Sequence, residues 1–249
     1  MQIIVDDMSV NYQIKGEGRV IVLIHGWGVS SENLNVLSTN LARDYQVVSL
    51  DLPGFGLSTM PSGVWGLNDY AKFLKAFISK LELSVYSFVG HSNGGSILIY
   101  AVASSYLTCK KLVLLGSAGI RNTQKFRRRA LYVTAKVGKL PLMLMPSRAS
   151  KSLKTNFHKI IGSDVDVTPE MIESYKKIVR HDLSGEASKI QTPTLLIYGS
   201  NDKDTPPAFG EKYHNLLKTS ELKIVNNAGH FVFIDQPAIT LELIRTFLK

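Results

Sequence analysis

The sequence predicts an α/β protein built on a mostly parallel, doubly wound sheet, with one helical insertion. Short runs rich in Val, Ile and Leu recur along the chain with helix-like stretches between them, which is typical of parallel strands buried on both faces. The 249 residues are 45% hydrophobic and 20% charged, which excludes collagen-like, disordered and coiled-coil proteins. We therefore expect a single domain over residues 1–249 with one continuous core.

The predicted elements alternate in a regular order. Residues 2–14 predict an antiparallel hairpin at the sheet edge, because Asp6 and Asp7 interrupt two alternating segments. Six strands are predicted at 20–24, 46–50, 85–89, 111–115, 194–198 and 222–225. Helices are predicted at 32–43, 68–81, 93–106, 208–217 and 237–247. In such folds ligands bind beyond the carboxyl ends of the strands, so chemistry is expected in the loops that follow them.

One segment, from about residue 119 to 188, breaks this alternation. It predicts no strand, only helix-like stretches broken by proline and glycine. Residues 121–180 hold 14 Lys and Arg against 4 Asp and Glu, whereas the rest of the chain holds 15 against 16. The net charge of +9 therefore belongs to this insertion. Charge confined to one insertion indicates a role for its own surface or its ligand, and we expect no nucleic-acid partner.

Compartment and cofactors are predicted from the start of the chain and from its cysteine content. The first ten residues carry Asp6 and Asp7 and no Lys or Arg, so they lack the basic start of a secretory signal. No stretch approaches the roughly 20 apolar residues of a membrane helix. We expect a cytoplasmic protein with no integral membrane association. Cys109 is the single cysteine, and no Cys/His cluster has metal-ligand spacing, so no metal or other cofactor is expected.

The candidate nucleophile is Ser92, in the sequence Gly-His-Ser-Asn-Gly at residues 90–94. The five-residue pattern alone is weak, but its place between a predicted strand and a helix of small residues strengthens it. A nucleophile on so sharp a turn needs glycine at Gly90 and Gly94, where side chains would clash. The turn also sets Ser92 at a helix N-terminus, which favours negative charge.

A serine needs a base to take its proton, and His230 is the strongest candidate. It follows the last predicted strand and precedes the final helix, so it lies at the carboxyl edge of the sheet. The neighbours of His25 suggest a backbone-shaping role, and His91 must direct its side chain away from Ser92. The three other histidines are interpreted as surface or packed residues: His158, His181 and His214.

The base in turn needs a carboxylate that fixes its tautomer. Asp202 and Asp204 both follow the predicted strand at 194–198, and one of them is expected to be this acid. The order Ser, Asp, His along the chain is used by one of three unrelated folds and argues against trypsin-like and subtilisin-like enzymes.

Backbone N–H groups must also hold the charge that develops on the substrate oxygen. The predicted donors are the N–H of Asn93 and that of Trp27, in the glycine-rich loop after the first parallel strand.

Five segments in this order resemble the α/β-hydrolase family, and they cover nearly the whole chain: His-Gly-Trp-Gly at 25–28, Asp-Leu-Pro-Gly-Phe-Gly-Leu-Ser at 51–58, Gly-His-Ser-Asn-Gly-Gly at 90–95, Gly-Ser-Asn-Asp at 199–202 and Ala-Gly-His-Phe at 228–231. The resemblance implies that Asp202 is the acid, with Asp204 as the fallback. It also implies that Asp51 lies in a structural loop without a catalytic role. Many relatives carry methionine after the nucleophile, where this chain has Asn93, whose amide would face the pocket and change preference.

The resemblance implies a serine hydrolase that cleaves a carboxylic ester of a small molecule through an acyl-enzyme at Ser92. Hydrolysis of a carbon–carbon bond, a thioester or an amide by the same residues stays open, as does a ligand-binding sensor with slow or no turnover. Haloalkane dehalogenases and epoxide hydrolases of the family use aspartate as the nucleophile, so Ser92 argues against both.

Residues 119–188 resemble the family's helical lid by their position. Met143 and Met145 offer an adaptable apolar surface that suits an acyl chain. The basic residues just upstream suggest an anionic substrate or peripheral contact with an acidic membrane surface: Arg127, Arg128, Arg129, Lys136 and Lys139. The alternative is that the apolar residues seal the lid onto the core while the charges form its solvated face.

Overall fold

A computed structural model describes residues 1–121 and 168–249 of the chain. It contains an eight-stranded sheet with the strand order β1-β2-β4-β3-β5-β6-β7-β8. The strands are β1 Gln2–Val5, β2 Met8–Lys15, β3 Val20–Ile24, β4 Gln46–Leu50, β5 Val85–His91, β6 Lys111–Leu115, β7 Thr194–Gly199 and β8 Ser220–Val225. Strands β3 to β8 run parallel, so the predicted doubly wound α/β sheet is confirmed.

The amino-terminal hairpin is confirmed at the edge of the sheet. Strands β1 and β2 pair antiparallel, and β2 then pairs antiparallel with β4, with Tyr12 opposite Leu50. The turn residues Asp6 and Asp7 have φ values of 46° and 63°, which aspartate tolerates better than most side chains. The hairpin is therefore closed by the two residues that interrupt its alternation in the sequence.

Eight α-helices lie in the described segments: α1 Asn35–Leu41, α2 Leu67–Lys80, α3 Asn93–Ala103, α4 Pro169–Val179, α5 Ser184–Ala187, α6 Pro207–Leu216, α7 Val232–Asp235 and α8 Pro237–Leu248. The predicted helix at 32–43 begins as a 3₁₀ turn over Ser31–Leu34 and ends at Leu41. The predicted helix at 93–106 ends at Ala103, because Ser105 takes a left-handed φ of 58°.

The sheet is buried on both faces. Within β3, Val22 and Ile24 pack into one hydrophobic cluster, and Ile21 and Leu23 pack into the other. Helices α2, α3 and α6 cover the first face, and α1 and α8 cover the second. Because neighbouring residues of a strand face opposite sides, both kinds of position must be apolar, which explains the unbroken Val, Ile and Leu runs.

The last part of the predicted insertion is helical. Thr168 caps α4 by accepting a hydrogen bond from the Met171 N–H, and Pro169 occupies the first turn. Met171 and Ile178 of α4 are buried in the same cluster as α2 and α3. The predicted lid residues that lie outside the described part of the chain are Met143, Met145, Arg127, Arg128, Arg129, Lys136 and Lys139. Over residues 1–121 and 168–249, every helix is too short or too polar to cross a bilayer.

Leu23→Ala should lower the free energy of unfolding by about 2–5 kcal/mol, because Leu23 is fully buried in the central strand and its truncation leaves a cavity. Urea denaturation followed by circular dichroism measures the change. The matched control is Leu57→Ala, since Leu57 is 72% exposed, and its effect should stay within about 0.5 kcal/mol. Equal losses in the two variants would contradict the assignment of Leu23 to the core.

Candidate active site

Ser92 lies at the turn between β5 and α3, with a left-handed backbone of φ 52° and ψ −116°. The end of β6 and the loop after it hold Ser92 there. Its N–H donates to the Leu115 carbonyl oxygen at 2.9 Å, and its own carbonyl accepts from the Ala118 N–H at 3.2 Å. A serine in this region of φ and ψ is strained, and such strain persists only where the surrounding structure imposes it.

The glycines around Ser92 are required by close packing. A Cβ at Gly90 would lie 2.7 Å from the Leu98 side chain, and one at Gly94 would overlap the carbonyl oxygens of Ile24 and His25. Backbone oxygens cannot move aside as a flexible side chain can. The α3 N-terminus therefore packs directly against the end of β3, as predicted for a turn that tolerates only glycine at these positions.

The structure brings Ser92, His230 and Asp202 into one hydrogen-bonded line. The His230 Nε2 atom lies 2.9 Å from the Ser92 Oγ atom, and the His230 Nδ1 atom lies 2.8 Å from the Asp202 Oδ2 atom. The Asp202 side chain is fully buried, whereas that of His230 is 15% exposed. The three residues follow β5, β7 and β8, so the carboxyl ends of parallel strands bring them together as expected.

Asp202, and not Asp204, contacts His230. Its Oδ1 atom accepts from the N–H groups of Asp204 and Thr205 at 2.8 and 2.9 Å. Burial alone would raise the pKa of Asp202, but hydrogen bonds from His230 and Thr205 outweigh it and hold the pKa below its usual value. Asp202 is therefore ionised at neutral pH, and it favours the His230 tautomer with the proton on Nδ1 and a free lone pair on Nε2.

Asp202, Asp204 and His230 also lie close enough together to suggest a cation site, with ligand atoms within 4.8 Å of one another. Both Asp202 oxygens already accept hydrogen bonds, and the His230 Nδ1 atom is engaged with one of them. Asp204 is exposed. These bonds fit an oriented acid–base pair and leave little coordination capacity for an ion.

Sequence reasoning missed His91 as a partner of His230. The His91 Nε2–H donates to the His230 carbonyl oxygen at 3.0 Å, and the two ring centroids lie 4.8 Å apart. Burial, with a smaller contribution from the neighbouring His230, lowers the pKa of His91 to about 3, so His91 is neutral. This contact joins positions 139 residues apart, for which the sequence carries no local signal.

The loop after β3 lies beside Ser92. A Cβ at Gly26 would stand 3.2 Å from that of Ser92, so a side chain there would crowd the turn. The His25 Nδ1–H donates to the Gly26 carbonyl at 2.7 Å, and its Nε2 atom accepts from the Leu52 N–H at 2.9 Å. These bonds agree with the expected backbone-shaping role of His25. Burial lowers the pKa of His25, which favours this neutral form.

Of the predicted N–H donors, Asn93 directly follows Ser92, and Trp27 follows Gly26, whose backbone lies beside Ser92. Among the described residues neither N–H has a hydrogen-bond acceptor, and that of Asn93 is the first of helix α3, so it has no partner within the helix. The Asn93 side chain is 6% exposed, and its Nδ2 atom has no partner within the described segments. The Trp27 ring packs against Phe55 and Tyr175, at centroid distances of 4.9 and 5.4 Å.

The carboxylate of Asp51 organises a loop away from the hydrogen-bonded line. It accepts from the N–H and hydroxyl of Ser31, from the Asn11 side chain and from the Leu57 N–H. Burial alone would raise the pKa of Asp51, but these bonds lower it. The expectation of a structural loop agrees with this geometry.

Of the other histidines, His181 pairs with Glu186 and His214 contacts Ser220, while His158 lies outside the described residues.

Two further residues that sequence reasoning missed complete the surroundings of His230. The Thr205 hydroxyl contacts both Asp202 and His230, and Gly116 supplies the backbone against which they pack. The motif Asp-Lys-Asp-Thr at 202–205 carries a usable signal, because an aspartate commonly accepts from the N–H groups two and three residues later. The contact with Gly116 depends on tertiary structure alone.

The chain is similar to proteins of several activities. It is 28% identical to a pyrrolizixenacetamide deacetylase of Xenorhabdus hominickii, over 98% of this chain and 96% of that protein. It is 23% identical to a 2-hydroxy-6-oxo-2,4-heptadienoate hydrolase of Pseudomonas putida, over 97% and 93%. Its fold matches the crystal structure of an enol-lactonase from Burkholderia xenovorans LB400 with a TM-score of 0.78 and 20% identity, covering 100% and 99% of the two chains.

A sequence model of one family accounts for these similarities. Residues 21–243 match the model of the alpha/beta hydrolase family, from the second residue of β3 into the last helix. The match spans the turn at Ser92 and the loops that carry Asp202 and His230. By its sequence and its fold, the chain belongs to the alpha/beta hydrolase family.

Proposed function

We propose that the protein is a serine hydrolase that cleaves a carboxylic ester of a small molecule through an acyl-enzyme. Ser92 is the nucleophile, His230 the base and Asp202 the acid that orients the base. The observation that carries the proposal is the line from Ser92 Oγ through His230 to Asp202, with hydrogen bonds of 2.9 and 2.8 Å. The first distance is within the reach required for proton transfer from the serine, and the second is that of a hydrogen bond that orients the base.

In the first half-reaction the Ser92 oxygen attacks the ester carbonyl carbon while His230 Nε2 takes the hydroxyl proton. The carbonyl oxygen becomes an oxyanion, and the N–H groups of Trp27 and Asn93 donate to it. Asp202 stays ionised and stabilises the imidazolium. The tetrahedral intermediate then expels the alcohol, whose oxygen takes the proton from Nε2, and the acyl group stays on Ser92.

In the second half-reaction a water molecule takes the place of the alcohol. His230 Nε2 accepts a proton from the water as its oxygen attacks the acyl carbon, and the same two N–H groups hold the new oxyanion. Collapse of this intermediate breaks the bond to Ser92, which recovers its proton from Nε2, and the carboxylic acid leaves. The cycle needs no group beyond the chain and water.

Amide hydrolysis by the same residues is the second candidate. The deacetylase of Xenorhabdus hominickii, at 28% identity over nearly the full length of both chains, favours it. Amide and ester cleavage share the acyl-enzyme and differ in the leaving group that His230 must protonate. Hydrolysis of p-nitrophenyl acetate is compared with that of p-nitroacetanilide. If kcat/KM for the anilide equals or exceeds that for the ester, the proposed substrate is an amide and not an ester.

Ser92→Ala should lower kcat/KM for p-nitrophenyl esters by a factor of about 10³ to 10⁶, because the nucleophile is removed while the binding surface stays. Release of p-nitrophenol from esters of graded acyl length measures the effect, and the wild-type profile sizes the acyl site. The proposed apolar acyl group predicts higher kcat/KM as the chain lengthens from acetate.

Ser104→Ala is the control for this experiment, since Ser104 is exposed at the opposite end of α3 and should keep activity within about twofold. A Ser92→Ala variant that folds and retains more than a tenth of the wild-type rate would contradict the role of Ser92. A wild type that hydrolyses none of the esters would contradict the ester proposal itself.

Asp202→Asn should lower kcat by a factor of about 10² to 10⁴, whereas Asp204→Asn should change it less than about threefold. An amide beside His230 Nδ1 no longer selects the tautomer with its proton on Nδ1, so Nε2 loses the lone pair that accepts the serine proton. Stopped-flow or steady-state hydrolysis of a p-nitrophenyl ester measures both variants. Comparable losses, or a larger loss in Asp204→Asn, would contradict the assignment of the acid.

A further inference from the structure

We propose that Thr205 is a positioning residue whose hydroxyl fixes the Asp202–His230 pair against the end of β6. The proposal rests on the function proposed above, because it concerns how the same base is held. Thr205 is 4% exposed and follows Asp202 by three residues. Among the described residues the Thr205 side chain makes no hydrogen bond to Ser92. It therefore acts through the acid and the base.

The Thr205 hydroxyl oxygen meets three polar atoms. It lies 2.8 Å from the Gly116 carbonyl oxygen, 2.8 Å from the Asp202 Oδ2 atom and 3.0 Å from the His230 Nδ1 atom. The Thr205 N–H also donates to the other carboxylate oxygen, Asp202 Oδ1, at 2.9 Å. One residue therefore contacts both oxygens of the acid and the ring nitrogen that the acid binds.

The Thr205 hydroxyl has a single proton to donate and lone pairs that accept. The Gly116 carbonyl and the ionised Asp202 carboxylate only accept, so the single hydroxyl proton goes to one of them. The His230 Nδ1 atom carries a proton because it faces ionised Asp202, and this N–H can share a lone pair of the hydroxyl oxygen. Thr205 thus donates toward the backbone or the acid and accepts from the base.

This arrangement fixes the ring in two directions. The bond to Asp202 holds one edge of the His230 ring, and the hydroxyl oxygen limits rotation about that bond. The Gly116 carbonyl anchors the hydroxyl to the end of β6, beside the turn that carries Ser92. When His230 becomes an imidazolium, its positive Nδ1–H faces the oxygen atoms of both Asp202 and Thr205. Without the Thr205 hydroxyl it would face the Asp202 oxygen alone, so the hydroxyl favours the charged ring.

Gly116 makes the contact possible. Its backbone has a left-handed φ of 49°, and an added Cβ would lie 3.4 Å from both the Asp202 Oδ2 and the His230 Nδ1 atoms. That distance is ordinary van der Waals contact, so glycine is favoured here by the left-handed φ, which other residues adopt only with strain. This backbone conformation accompanies the contact between the Gly116 carbonyl and the Thr205 hydroxyl.

Thr205→Val removes the hydroxyl and keeps the branched shape, so kcat for a p-nitrophenyl ester should fall about tenfold with KM changed less than about twofold. The rate of Ser92 labelling by a fluorophosphonate should fall by the same factor, because labelling also needs the activated serine. Rates are normalised to the number of labelled sites. Thr205→Ser restores the hydroxyl and should recover kcat to within about threefold of wild type.

Thr194→Val is the matched control. Thr194 is also a buried threonine whose hydroxyl donates to a backbone carbonyl, that of Thr192 at 2.8 Å, but it lies at the opposite end of β7 from Asp202. It should lose stability without loss of kcat per labelled site. If Thr205→Val unfolds, Thr205→Ala is tested under the same normalisation.

The outcomes separate the two proposals. The positioning role is overturned if Thr205→Val keeps the wild-type kcat and labelling rate, or if the Thr205 and Thr194 variants change equally. The proposed function stays intact in either case, provided that Ser92→Ala is inactive. Failure of Thr205→Ser to recover activity overturns it as well. If Ser92→Ala retains full activity, the proposed function fails, and the role of Thr205 fails with it.

Discussion

The left-handed backbone of Ser92 is the constraint on which the rest of the site depends. It projects the hydroxyl from the turn between β5 and α3, and it is held because the Leu115 carbonyl and the Ala118 N–H bind both sides of the same residue. The packing of α3 against the carbonyls that end β3 then excludes any side chain at Gly94. The strain at one residue is thus balanced by contacts from the ends of two strands, β6 and β3.

Two buried carboxylates each hold a loop in place, Asp202 beside this turn and Asp51 away from it, and each is surrounded by donors. Asp51 accepts four hydrogen bonds, from Asn11, Leu57 and twice from Ser31. The Asp202 carboxylate contacts two backbone N–H groups, a hydroxyl and a ring nitrogen. Burial lowers the pKa of His25 and of His91, so both rings are neutral. His25 donates from one ring nitrogen and accepts at the other, whereas His91 donates from Nε2. The side chain of His230 is partly exposed, and it faces Ser92 on one side and a fixed negative charge on the other.

Unpaired polar atoms concentrate around the same turn. Within the part of the chain that the structure describes, the buried side-chain atoms without a hydrogen-bond partner are His91 Nδ1, Asn93 Nδ2, Ser96 Oγ, Ser117 Oγ and Ser184 Oγ. Four of these five belong to the first turn of α3, the residue before Ser92 and the loop after β6. Folded proteins pair most buried polar groups, and exceptions gather where function limits packing.

The sequence by itself determined the sheet and the segments that meet at its edge. Unbroken apolar runs require strands buried on both faces, and the carboxyl ends of such strands must converge, so Ser92 and His230 could be named from local patterns. Between Asp202 and Asp204 the residues alone left a choice. Only the tertiary structure decided which carboxylate faces the ring, and it revealed the contacts of His91 and Thr205. The contacts of His91 with His230 and of Thr205 with Gly116 join positions far apart in the chain. Their geometry depends on how loops pack, which no local pattern of residues records.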